Sequence, residues 1–114
     1  MMKLKTDQSG GVSIVRVGEE RMTYPLLGEF ASAVSELVAA GRLEILIDLA
    51  PVTYVDSATI GCFMDLYRQV TAAGGRLKLS GVQKRVETML TMTGAQNFIE
   101  LHADEGSAIT SFGA

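Results

Sequence analysis

An α/β domain, with a mixed and mostly parallel sheet, an N-terminal hairpin and about four flanking helices, is predicted for this 114-residue chain by three observations. Short alternating segments open the chain. Apolar stripes of helical period then alternate with short apolar runs. Each strand–helix–strand step, in turn, demands a right-handed crossover and parallel pairing. The expected order is ββαβαβαβα. Hydrophobic residues make up 47% of the chain and charged residues 20%, a folded rather than disordered balance, and the length suits one domain spanning residues 1–114.

The elements follow in order. Lys3–Thr6 and Val12–Val17 alternate on either side of Gly10-Gly11 and read as a hairpin at one edge of a sheet. Pro25 stands at a helix start, with Leu27, Phe30, Val34 and Leu37 at helical spacing and Gly41 placed to end the element. Leu43–Leu49 is apolar on both strand faces except at Glu44, as suits a central strand covered by helices. After Pro51, Asp56-Ser57 supplies two N-cap candidates, and Ile60, Phe63, Tyr67 and Val70 trace one helix face as far as Gly74-Gly75. Arg76–Ser80 alternates as a strand; Val82, Val86, Met89 and Thr93 mark a third helix closed by Gly94. Phe98–Leu101 reads as a short last strand. A terminal helix over residues 104–112 is expected to use Asp104 as its cap and to turn Ala108, Ile109 and Phe112 inward.

Several function classes are disfavoured. The net charge is −3 and the basic residues are dispersed, so no nucleic-acid footprint is visible. The apolar stretches Ile45–Val55 and Ile60–Met64 are too short to span a bilayer, and the first residues lack a signal-peptide pattern, which predicts a cytoplasmic protein with no membrane partner. Phosphate-loop, dinucleotide, zinc-protease and nucleophile-elbow motifs are missing. Cys62 is the sole cysteine and reads as a small core residue; any Ser–His–Asp site would depend on the sole histidine, His102. Asp104-Glu105-Gly106 lacks the spaced oxygen ligands of a calcium loop and reads as a helix start. Met89, Leu90 and Met92 could line a partner groove, although core packing is the simpler role for Met89. The expectation is a non-enzymatic protein without cofactor or metal.

The most informative stretch is Val52–Gly61, where a polar Asp-Ser step joins a buried strand to an amphipathic helix. Ser57 there is expected on an exposed turn beside the free N–H groups of a first helical turn. A phosphate at that point would be tolerated, since the helix dipole favours an exposed anion by about 0.3 to 1 kcal/mol. By spacing alone, Asp56 or Ser57 is simply an N-cap.

Asp48-Leu49-Ala50-Pro51-Val52-Thr53-Tyr54-Val55-Asp56-Ser57-Ala58-Thr59-Ile60-Gly61, followed by Gly74-Gly75-Arg76-Leu77-Lys78-Leu79 and Met89-Leu90-Thr91-Met92-Thr93-Gly94, resembles the STAS family of anti-sigma-factor antagonists over nearly the whole chain. The resemblance implies that Ser57 is a phosphorylation site. It implies as partners a switch-type serine kinase that also serves as the anti-sigma factor, bound by the unphosphorylated chain and released on phosphorylation, and a PP2C-type phosphatase that resets the serine. The partner-binding residues expected on this reading are Arg21, Tyr54, Asp56, Ser57, Ala58 and Thr59. Two departures stand out. Ala58-Thr59 replaces the family's frequent Ser-Gly or Ala-Gly and makes Thr59 an alternative phosphorylation site, and Arg21 follows Gly18-Glu19-Glu20 where an acidic residue is frequent. A second implied role is a non-switching scaffold subunit of a lipid-transport ABC complex or a stressosome-like assembly.

Overall fold

The computed structural model describes residues 2–113. Among them, five strands form the main sheet in the order β1-β2-β4-β6-β7, where β1 is Leu4–Ser9, β2 Val12–Val17, β4 Glu44–Asp48, β6 Arg76–Ser80 and β7 Glu100–His102. The β1–β2 pair is antiparallel and every other pairing in this sheet is parallel. The tight hairpin depends on Gly10 and Gly11, both at positive φ (52° and 85°), a backbone region that side chains with a Cβ rarely enter.

Three helices, α1 (Leu27–Ala39), α2 (Ser57–Ala72) and α3 (Lys84–Thr93), cover one face of the sheet. A fourth, α4 (Glu105–Ser111), covers the other. Strand β4 lies between them, which is why Ile45, Leu46 and Ile47 are all fully buried and why its sequence does not alternate. Ile45 and Ile47 join the larger core with Leu77, Leu79, Phe30 and Phe63. Phe30 and Phe63 meet edge to face with ring centroids 5.9 Å apart, locking α1 against α2. Leu46, on the opposite face, joins a small second core with Val12, Ile14, Ala108 and Phe112. The close approach of β4 and β6 begins at Gly75, where a Cβ would lie 2.2 Å from the Leu43 carbonyl oxygen.

The fold matches expectation in class, element order and hairpin position, with three local differences. Two further strands, β3 (Arg21–Met22) and β5 (Tyr54–Val55), pair in parallel as a separate small sheet. At two residues each they are too short to show a period. The last strand starts at Glu100 rather than Phe98, because a 3-10 turn over Ala95–Asn97 runs into Phe98 and leaves its ring 60% exposed. Val82 precedes α3 instead of belonging to it. The α4 expectation held for its cap and for the buried Ala108 and Phe112.

Candidate functional site

Ser57 opens α2 at the end where β3, β5 and the entry to α1 converge. The convergence is made by backbone bonding. The N–H groups of Thr53 and Tyr54 donate to the Glu20 carbonyl at 2.8 and 3.3 Å, and Arg21 and Met22 then pair with Tyr54 and Val55. Over this small sheet the Arg21 guanidinium stacks 4.2 Å above the Tyr54 ring, so the two residues present one cationic, aromatic surface.

Asp56 is the N-cap of α2. Its extended backbone (φ −94°, ψ 173°) lets one carboxylate oxygen, Oδ1, accept the Thr59 N–H at 2.8 Å. The other oxygen, Oδ2, accepts the Tyr24 N–H at 2.9 Å, tying the start of α2 to the turn that leads into α1. The Thr59 hydroxyl lies 2.8 Å from the Met22 carbonyl and 2.6 Å from Asp56 Oδ1, its one proton shared between two acceptors. Partial burial alone would raise the Asp56 pKa; the hydrogen bonds from Thr59 and Tyr24 outweigh it and hold the carboxyl below its ordinary range. Asp56 is therefore an anion whose oxygens are engaged within the domain.

The six residues expected at the partner surface thus divide. Ser57 and Ala58 are exposed, and the Ser57 hydroxyl makes no hydrogen bond with the described residues. Arg21 is exposed and Tyr54 half-buried, held together by their stack. Thr59 is the correction: it is 0% exposed, and its hydroxyl points inward to Met22 and Asp56, so it is not presented for modification. Asp56 supports the site from within rather than facing outward.

The surroundings add residues that sequence reasoning missed. A groove of about 450 Å³ runs beside α2, lined by Ser57, Ile60, Met64, Arg68, Gly94 and Phe98. A second groove, on the other side of the helix, includes Tyr24, Ala58, Cys62 and Gln69. Neither carries a motif, because each is assembled from elements distant in sequence. The expected Met89, Leu90 and Met92 lining does not form as a set: Leu90 is fully buried, Met89 packs against the core and Met92 is 81% exposed. Cys62 is half-buried, and burial pushes its thiol pKa up, with Asp65 adding to the effect. His102 sits on β7 with Nε2 2.7 Å from the Glu100 carboxylate; among the described residues no serine bonds to its ring. Among the described residues, no helix is long and apolar enough to cross a membrane.

The family model of the STAS domain matches residues 3–108. The chain belongs to the STAS domain family. It is 32% identical over 60 residues to the anti-sigma-B factor antagonist of Bacillus subtilis (strain 168), a match covering 53% of this chain and 55% of that protein, so it spans about half the length of that curated relative. The fold of this STAS chain is similar to that of an anti-sigma factor antagonist from Mycobacterium paratuberculosis, with a TM-score of 0.86 at 18% identity over 97% of this chain and 93% of that one. It is also similar to the Bacillus cell fate determinant SpoIIAA in its phosphorylated form, with a TM-score of 0.74 at 15% identity over 96% and 99% of the two chains. At such identities the structural likeness carries the fold alone.

Proposed function

We propose that this STAS chain is a cytoplasmic anti-sigma-factor antagonist, a binding switch with no catalysis of its own. Its unphosphorylated form binds a switch-type serine kinase that doubles as the anti-sigma factor; phosphorylation of Ser57 releases it, and a PP2C-type phosphatase restores the hydroxyl. The observation that carries this reading is the exposed, unpartnered Ser57 hydroxyl on the first turn of a helix whose cap, Asp56, does not need it. The named antagonist relative and the family match support it.

The chemistry asks little of the chain. The Ser57 oxygen attacks the γ-phosphorus of ATP bound to the kinase, ADP leaves, and the hydroxyl proton passes to a base on the kinase. The product adds about −1.5 to −2 charges next to Asp56, whose carboxyl the hydrogen bonds already keep ionised. Because the new anion lies at a helix N-terminus, the fold tolerates it. Its effect falls on the partner, which must desolvate a cluster of negative charge to stay bound.

The test is phosphorylation of the full chain by its partner kinase with ATP, followed by peptide mass spectrometry. Phosphate is expected on Ser57 and lost in Ser57→Ala. Stable binding without any phosphate transfer would instead support the scaffold role.

A further inference from the structure

The two edges of the main sheet are unequally protected. At one edge β7 offers only the three residues Glu100–His102. At the other, β1 offers six, all but Leu4 exposed, paired with β2 residue for residue and without a bulge. The run contains no proline, and a long open strand of this kind is a template for another strand.

The hairpin determines which backbone groups point outward. Ser9 and Val12 close a two-residue loop, so they exchange both N–H···O=C bonds, and bonded pairs recur at Asp7–Ile14 and Lys5–Arg16. The Gly18 N–H on the Lys3 carbonyl, at 2.8 Å, continues the alternation. Leu4, Thr6 and Gln8 therefore turn their N–H and C=O groups to the open edge. In keeping with this, the Gln8 N–H donates to the neighbouring Asp7 Oδ1 at 2.9 Å rather than to a strand.

We propose that this edge pairs with β1 of a second copy of the chain, antiparallel across a twofold axis, joining the two main sheets into one. In such a pair the numbers of facing residues have a constant sum, and only an even sum sets outward groups against outward groups. Charge then selects among the registers. Centring on Asp7 sets Asp7 against Asp7, and centring on Lys5 brings Lys3 to Asp7 but sets Lys5 against Lys5; like charges directly opposite are destabilising. Only centring on Thr6 gives opposite charges with no like pair: Lys5 faces Asp7 of the second copy, twice by symmetry. These are non-hydrogen-bonded pairs, in which side chains stand closest. Leu4 then faces Gln8 of the second copy and Thr6 its own counterpart, and each of these outward-facing pairs exchanges two backbone hydrogen bonds. Asp7 is oriented for its part, because its Oδ2 lies 3.2 Å from Arg16 Nη1 on the face that α4 covers, and Lys5 shares that face by strand alternation. No residue of β1 contributes to the Ser57 site, and the proposal does not rest on the switch reading.

A ladder with so little apolar area belongs among the weak interfaces, with a dissociation constant on the order of 0.1 mM. The experiment is sedimentation equilibrium of the full-length chain up to about 1 mM, with amide hydrogen exchange read at Leu4, Thr6 and Gln8. The wild type is expected to dimerise and to protect these three amides as it does so. Asp7→Lys and Lys5→Asp each set like charges opposite and should each weaken association about tenfold or more. Their equimolar mixture recreates opposite charges at both pairs and should associate about as tightly as the wild type, as should the double variant Lys5→Asp/Asp7→Lys. Both side chains are exposed, so the variants keep the fold, which circular dichroism checks. A wild type that stays monomeric at the highest concentration, a dimer that leaves the three amides unprotected, or a mixture no tighter than its two components would overturn the proposal.

Discussion

Helices α2 and α4 begin alike and are held very differently. Each is capped by an aspartate whose Oδ1 accepts an N–H three residues on at 2.8 Å: Thr59 from Asp56, Ser107 from Asp104. Beyond that first turn the likeness ends. Helix α2 runs for 16 residues and buries Thr59, Ile60, Phe63, Leu66 and Val70; α4 runs for 7 and buries only Ala108. Capping chemistry therefore says where a helix starts and little about how firmly it is seated. That depends on the apolar face behind the cap. The firmly seated helix presents Ser57, so a phosphate added there would change the surface of a fixed frame.

The contrast is sharpest for the two aromatic anchors. Phe63→Ala empties a fully buried site against Phe30, and about 3–5 kcal/mol of global stability should be lost in a urea titration. Phe112 is 6% exposed in the small second core. Its replacement by Ala should cost about 2 kcal/mol or less, since a short helix can let go locally, and hydrogen exchange should show the loss confined to α4. Equal global losses for the two variants would mean that α4 is as integral as α2.

A smaller difference is expected at the caps. Asp56→Ala removes the cap together with the Tyr24 and Thr59 links, and a cost of about 2 kcal/mol is expected, against about 0.5–1 for Asp104→Ala. Because the Asp56 pKa is lowered on folding, its contribution is present above the unfolded value and disappears as pH falls through the folded one. The wild-type advantage over Asp56→Ala, followed by urea melts below pH 5, should therefore shrink toward acid. Smallest of all, Ser57→Ala should change stability by no more than about 0.5 kcal/mol, because the hydroxyl caps nothing; a loss as large as that of Asp56→Ala would make Ser57 structural.

What the sequence made legible follows the same division. The Gly10-Gly11 turn, the unalternating Leu43–Leu49 run and the Asp-Ser helix start each have a local physical cause, and so the elements and the position of Ser57 could be read directly. Thr59 was readable and was misread. It stands four residues before Phe63, on the buried stripe that continues through Leu66 and Val70, and only its polar side chain suggested the surface. The β3–β5 pair was not legible, because strands of two residues have no period and their pairing is fixed by Glu20 bonding across the chain. Nor was the Arg16–Glu105 ion pair, whose partners lie 89 residues apart and meet only once the chain folds α4 back onto the sheet. Local rules located the serine; tertiary contacts decide which neighbours face it.

The most direct test of Ser57 as a surface switch on a fixed frame is calorimetric titration of the partner kinase with unphosphorylated, phosphorylated and Ser57→Asp protein, each checked by circular dichroism. Phosphorylation is expected to weaken binding about a hundredfold or more, since several kcal/mol of uncompensated desolvation is tenfold in affinity for each 1.4 kcal/mol. Ser57→Asp should weaken it less, and all three spectra should coincide. Equal affinities for the three forms with unchanged spectra would contradict the switch and leave Ser57 as no more than the first residue of a well-capped helix.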